Sequence, residues 1–180
     1  MTDRSGLTTA ELEVWNSFYS MRRKLDRALD LQLKRDTRIS ASEYEVLLGL
    51  LAAPGAQLRV TDIAARIGWE KSRVSHLVAR MEKRSLLDRT DCESDARGSW
   101  IGLTADGHSA VLGAMRGHVS AIRRYFFDVL QPDDADRLTD LSGRIVAAIG
   151  CGADEDAPPA TTGSATEAET ATETAVGILK

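Results

Sequence analysis

The sequence predicts a mostly α-helical protein with one small β-hairpin, and three observations predict it. Apolar residues recur at helical spacing through most of residues 9–150. Two short helical stretches, starting near Thr61 and near Lys71, are separated by only a few residues that include Gly68. Beyond them, a polar loop at 92–98 joins two short segments of alternating character.

In order, the first helix is expected over 9–35. Leu12, Trp15, Phe18, Tyr19, Met21, Leu25, Leu29 and Leu33 form its apolar stripe, and Arg22, Arg23, Lys24, Arg27, Lys34 and Arg35 its basic face. A short apolar helix over 42–53 follows, with Ser40/Glu43 and Ser42/Glu45 both spaced as capping boxes, and Pro54-Gly55 stops it. The third helix begins near Thr61 with Asp62 in its first turn, turns Ile63, Ala64 and Ile67 inward, and ends at Gly68. The fourth runs from Glu70 or Lys71 to about Arg84 on a stripe of Val74, Leu77, Val78 and Met81. Strands are expected at 86–91 and 99–103. Thr104 caps a fifth helix reaching about Leu130, and Gln131-Pro132 opens a sixth, with Pro132 at its first helical position.

This order describes a winged helix-turn-helix at 39–104. An N-terminal dimerisation helix (1–38) and C-terminal dimerisation helices (105–150) flank it, because their broad apolar stripes have no sheet to cover. Residues 151–180, rich in Ala, Thr and Glu and without an aromatic residue, read as a disordered acidic tail.

At 180 residues, 43% hydrophobic and 28% charged, the chain is of ordinary globular composition and can bury a core without staples. Its longest uncharged apolar run, 46–56, is too short to span a membrane. The start lacks the apolar segment of a signal peptide, and Cys92 and Cys151 make no disulfide framework, so a cytoplasmic protein is expected. His76, His108 and His118 have no ligating residue at i±3 or i±4, so neither metal nor other cofactor is expected. Gly107-His108-Ser109-Ala110-Val111 lacks the last glycine of a nucleophile elbow. Walker and dinucleotide motifs are absent, which points away from an enzyme.

The net charge of −4 hides an uneven distribution. The last thirty residues carry six acids and one base, leaving residues 1–150 at +1, and the stretch 66–89 is locally +4. Such a patch suits a polyanion as well as it suits solvent. With the apolar stripe inward, the fourth helix turns Lys71, Ser72, Arg73, Ser75, His76 and Arg80 outward. These residue types can meet base edges in a major groove. Lys83, Arg84 and Arg89 are expected at backbone phosphates. Arg97, beside Gly98 in the hairpin loop, has the shape of a minor-groove contact, and Asp95 would pair with a cation and orient the wing. The alternatives are a winged-helix module that binds protein and a non-specific architectural DNA binder.

At these residues the sequence resembles a known family. The residues are the run from Arg59 to Gly68, the run from Lys71 to Arg84, Asp95-Ala96-Arg97, and Leu103-Thr104-Ala105-Asp106-Gly107. Together they look like the MarR family of winged helix-turn-helix regulators. The resemblance implies a homodimer on pseudo-palindromic double-stranded DNA, usually a repressor released by a small ligand or an oxidant. It also matches Arg97 to the family's minor-groove arginine and Asp95 to its orienting partner. Two departures stand out: Ser85 where the family often has Gly, and Glu70 where a capping Ser is frequent.

The resemblance also implies an effector site between dimer helices and DNA-binding lobes. Trp15, Tyr19, Arg22 and Arg23 offer aromatic rings and cations for a small aromatic acid, or are simply dimer-core residues. The first helix has no cysteine where redox-sensing relatives place theirs. Cys92, flanked by Asp91 and Glu93, reads as an inert thiol.

Overall fold

The computed structural model describes residues 6–91 and 99–153. Helix α1 (Thr9–Thr37) starts in a capping box between Thr8 and Glu11 and ends at Arg38 in a left-handed conformation. Helix α2 (Ala41–Leu51) uses the first of its two possible capping boxes. The Glu43 amide donates to Ser40 Oγ at 3.3 Å, and the Ser40 amide donates back to Glu43 Oε2 at 2.8 Å. A 3-10 turn (Pro54–Ala56) leads into strand β1 (Gln57–Arg59). Helices α3 (Val60–Ile67) and α4 (Lys71–Lys83) follow, then strands β2 (Leu87–Asp91) and β3 (Ser99–Leu103), and helices α5 (Ala105–Tyr125) and α6 (Asp134–Ala153).

The hairpin forms where the alternation placed it, and it gains a third strand that the sequence did not reveal. The sheet is antiparallel with β3 in the middle: Leu58 and Arg89 both face Ile101, and Leu87 faces Leu103. Three residues after a Pro-Gly turn are too few to show a period of two. β1 exists because the free edge of β3 pairs with it.

The core lies under this sheet, among α2 to α5. Val74, Leu77, Val78 and Met81, the expected stripe of α4, are fully buried with Leu33, Leu47, Leu50, Ile63, Ile101 and Val111. Most of the expected stripe of α1 is not: of that helix only Gln32 and Leu33 are buried, while Trp15 is 54% and Phe18 45% exposed. Helix α1 packs its C-terminal part on α5 and α2, whereas α6 packs substantially on no other described element. Its Leu141, Ile145, Val146 and Ile149 are all exposed.

Three expected boundaries shift. The fifth helix stops at Tyr125, where Phe126 leaves helical geometry (φ −124°), and a 3-10 turn (Phe127–Val129) takes its place. Pro132 does not open the sixth helix. It sits inside a tight turn closed by the Asp134 amide on the Gln131 carbonyl at 3.0 Å, where its fixed φ serves the turn, and α6 starts at Asp134. Helix α6 also runs to Ala153, three residues into the expected tail; residues 154–180 lie outside the described part.

Candidate nucleic-acid interface

The turn between α3 and α4 is built by Gly68 (φ 66°, ψ 33°), which takes the left-handed residue at the end of α3. The Trp69 amide then donates back to the Ala64 carbonyl at 3.0 Å, closing the turn. Glu70 is the N-cap of α4, but its side chain makes no capping bond, so its charge adds only a favourable field at the helix start.

With its stripe buried, α4 leaves Lys71, Ser72, Arg73, His76, Arg80 and Lys83 exposed. Ser72, Arg73, His76 and Arg80 line one open cavity of about 630 Å³, completed by Trp69 and by Ser40 and Ser42 at the start of α2. Sequence reading had not placed the last three there. Trp69 stands in the turn, one residue before the N-cap of α4, so the helical spacing rule gives no direct signal for its meeting Arg73. The guanidinium carbon of Arg73 lies 3.3 Å from the centroid of the Trp69 ring. Ser75 is less available: it is half-buried and its hydroxyl donates to the Lys71 carbonyl of its own helix at 2.9 Å.

The expected phosphate contacts divide. Lys83 is exposed at the end of α4. Arg84 is exposed but already engaged within the fold, donating to Glu43 Oε1 at 2.7 Å and to the Arg38 carbonyl at 2.8 Å, so a phosphate would compete with these two acceptors. The physical reason is that Glu43 is nearly buried and needs a cation. Burial opposes its charged form, but the Ser40 amide and hydroxyl and the Arg84 guanidinium outweigh it and hold its carboxyl below the ordinary value. Arg89 likewise pairs with Glu82, its Nε donating to Oε1 at 3.0 Å. Arg97, Asp95 and Cys92 lie outside the described residues.

The wing root is fastened to α5. Thr104 Oγ1 donates to the Ser85 carbonyl at 2.6 Å and accepts the Gly107 amide at 2.9 Å. Gly107 itself stands where any β-carbon would overlap the Leu86 carbonyl.

On α1, the expected effector quartet is together. Trp15 and Tyr19 stack with ring centroids 6.2 Å apart, and Arg22 and Arg23 each approach the Tyr19 ring at 5.7 Å. All four are exposed, and none lines the cavity above. Among the described residues no group of three His, Cys, Asp or Glu side chains could hold a metal ion. No described helix is long and apolar enough to cross a membrane.

The MarR family model matches residues 39–98. Sco3205, a MarR family transcriptional regulator from Streptomyces coelicolor solved in complex with DNA, is 37% identical. The match covers 82% of this chain and 91% of Sco3205, with a TM-score of 0.75. This chain belongs to the MarR family of transcriptional regulators. AbsC, a second family member from Streptomyces coelicolor, is 32% identical over 80% of this chain and 97% of its own, with a TM-score of 0.74. A mutant of MarR from E. coli complexed with operator DNA, 17% identical, shares the fold at a TM-score of 0.67, over 78% of this chain and 99% of its own. No curated protein sequence matches the chain. Within this MarR-family protein the departure at Ser85 is resolved: Ser85 takes a left-handed conformation itself (φ 57°), so the turn keeps a glycine's geometry without the glycine.

Proposed function

We propose that this MarR-family regulator is a cytoplasmic, ligand-responsive repressor that binds a pseudo-palindromic operator as a homodimer. Each subunit places α4 in a major groove and Arg97 of the wing in the flanking minor groove. Half-sites then lie roughly 10 bp apart, centre to centre. The observation that carries this reading is the solvent-facing set Lys71, Ser72, Arg73, His76 and Arg80 on a helix whose other face is fully buried. Such a helix is rigidly mounted and offers donors for guanine edges and phosphates. Likeness to Sco3205, solved with DNA, supports the same use of the fold.

The dimer is supported by what the single chain leaves uncovered. Helix α6 exposes Ile145, Val146 and Ile149, and the first half of α1 exposes Leu12, Trp15 and Phe18. An apolar surface of this extent marks an interface. In this reading 39–104 is the DNA-reading unit and the flanking helices form the dimer. Effector response is assigned to the quartet of Trp15, Tyr19, Arg22 and Arg23 at the border of that interface. The acidic tail competes with DNA for the basic face.

The test is binding of the purified protein to duplexes from DNA flanking its own gene, over a salt series. One preferred pseudo-palindromic site with a steep salt slope is expected. Arg73→Ala should change base preference at a cost of about 1–3 kcal/mol, whereas Lys83→Ala should weaken all sequences alike and flatten the slope. Absence of binding at low salt would overturn the reading. Sedimentation of a monomer at micromolar concentration would overturn the dimer.

A further inference from the structure

The indole of Trp69 sits in the turn of the helix-turn-helix with its backbone anchored, its amide bonded to the Ala64 carbonyl at 3.0 Å and its side chain half-buried against the core. Over it lies the guanidinium of Arg73, 3.3 Å from the ring centroid. Among the described residues Arg73 has no carboxylate within ion-pair distance, so the indole is the contact that restrains this otherwise exposed side chain. Both residues line the same cavity on the outer face of α4.

The geometry points to Trp69 as a positioning residue for base readout. It holds the Arg73 guanidinium by its flat face, so that the in-plane N–H donors stay unspent for the two acceptors of a guanine edge. A guanidinium stacks through its face and donates through its rim, so the two uses do not compete. An arginine already confined to few rotamers loses less freedom on binding, and it meets a wrong base with its donors in fixed and mismatched positions. Trp69 therefore governs which base pair is preferred opposite Arg73, and does so by fixing the position of that arginine. This inference rests on α4 entering the major groove as proposed above.

The test uses the full-length protein with Trp69 replaced by Tyr, Phe and Leu, and Arg73→Ala alone and combined with Trp69→Leu. Each is measured on the preferred duplex and on every single-base-pair variant of it, at two salt concentrations, with thermal melting as a check on folding. Trp69→Leu is expected to relax discrimination about tenfold at the one base pair that Arg73→Ala also relaxes. Other positions and the salt slope should stay unchanged. Tyr and Phe should be intermediate, and the double variant should be no more relaxed than Arg73→Ala. In the protein without DNA, the Arg73 Nε–H order parameter should fall in Trp69→Leu, and also in the milder Phe variant, which keeps the packing.

A uniform loss of affinity across all duplexes, or an unchanged order parameter in both variants, would reduce Trp69 to a packing residue and overturn the inference, with the DNA-binding reading intact. A wild-type protein that prefers no duplex would overturn both.

Discussion

The guanidinium of Arg84, at the end of α4, donates to Glu43 Oε1 of α2 at 2.7 Å across 41 positions of sequence. Its other arm reaches the carbonyl of Arg38, which ends α1 in a left-handed conformation. One side chain thus ties the helix facing outward at the cavity to the corner where α1 meets α2. Replacing Arg84 by Ala should lower stability by about 1–2 kcal/mol, the smaller end of the range for a charged partner because Arg84 is partly exposed. Lysine should restore little, since a point charge cannot serve both acceptors. Glu43 titrates below its unfolded value, so the difference between wild type and variant should be present above about pH 4.5 and fade as the pH falls through the folded value. Urea melts at pH 7 and pH 3 would check this.

Gly107 is expected to tolerate no side chain. A β-carbon there meets the backbone of Leu86, which cannot swing away as a flexible side chain could. Gly107→Ala should cost about 3 kcal/mol or more and separate the first turn of α5 from the wing root. Gly113, with open space around it, is the control. Alanine there should be neutral or slightly stabilising on thermal melting.

Ser85 offers the opposite change. It holds φ 57° with a β-carbon, a conformation that costs an ordinary residue about 1–2 kcal/mol. Ser85→Gly should recover part of that and raise stability by about 0.5–1 kcal/mol, after the greater freedom of glycine in the unfolded chain is subtracted. A fall in melting temperature would mean that the left-handed turn is not strained.

His118 should make stability fall on the acid side of neutrality. Burial between α1 and α2 lowers its pKa: its Nδ1 lies 3.3 Å from Gln32 Oε1, and its ring lies 4.8 Å from that of Tyr44. Gln32 in turn donates to Asp36, whose carboxylate is paired with Arg35. The folded state keeps this imidazole neutral at a pH where the unfolded chain already binds a proton. Stability is therefore complete above the unfolded value of about 6.5 and declines below it, by at most about 1.4 kcal/mol per pH unit. His118→Gln should flatten that slope in denaturation curves between pH 7 and pH 5.

What could be read in the sequence was whatever depends on neighbours along the chain. The stripe Val74, Leu77, Val78 and Met81, the turn at Gly68 and the cap at Thr104 are all local patterns, and each stands where its spacing put it. Placing the cations of α4 on the outer face followed from the same stripe. Pairings between distant segments stayed hidden. β1 needs the edge of β3, and Arg84 needs a buried Glu43 that no local rule connects to it. The stack of Arg73 on Trp69 joins near neighbours along the chain, but a side chain in a turn shows its direction only once the turn is folded.

The contact of Gly107 on Leu86 leaves no compressible layer between α5 and the root of the wing. Helix α5 has 21 residues, so it is a rod about 30 Å long. If its far end is held and the rod swings by about 5°, the near end travels about 2.6 Å. Because the joint is backbone against backbone, strand β2 and the base of the wing must travel with it. That distance is close to one hydrogen-bond length, which is the difference between a side chain seated on a base edge and one lifted off it. The rod is an amplifier with a stiff coupling: spin labels on α5 and β2 should hold a constant separation while the separation between the two wings changes.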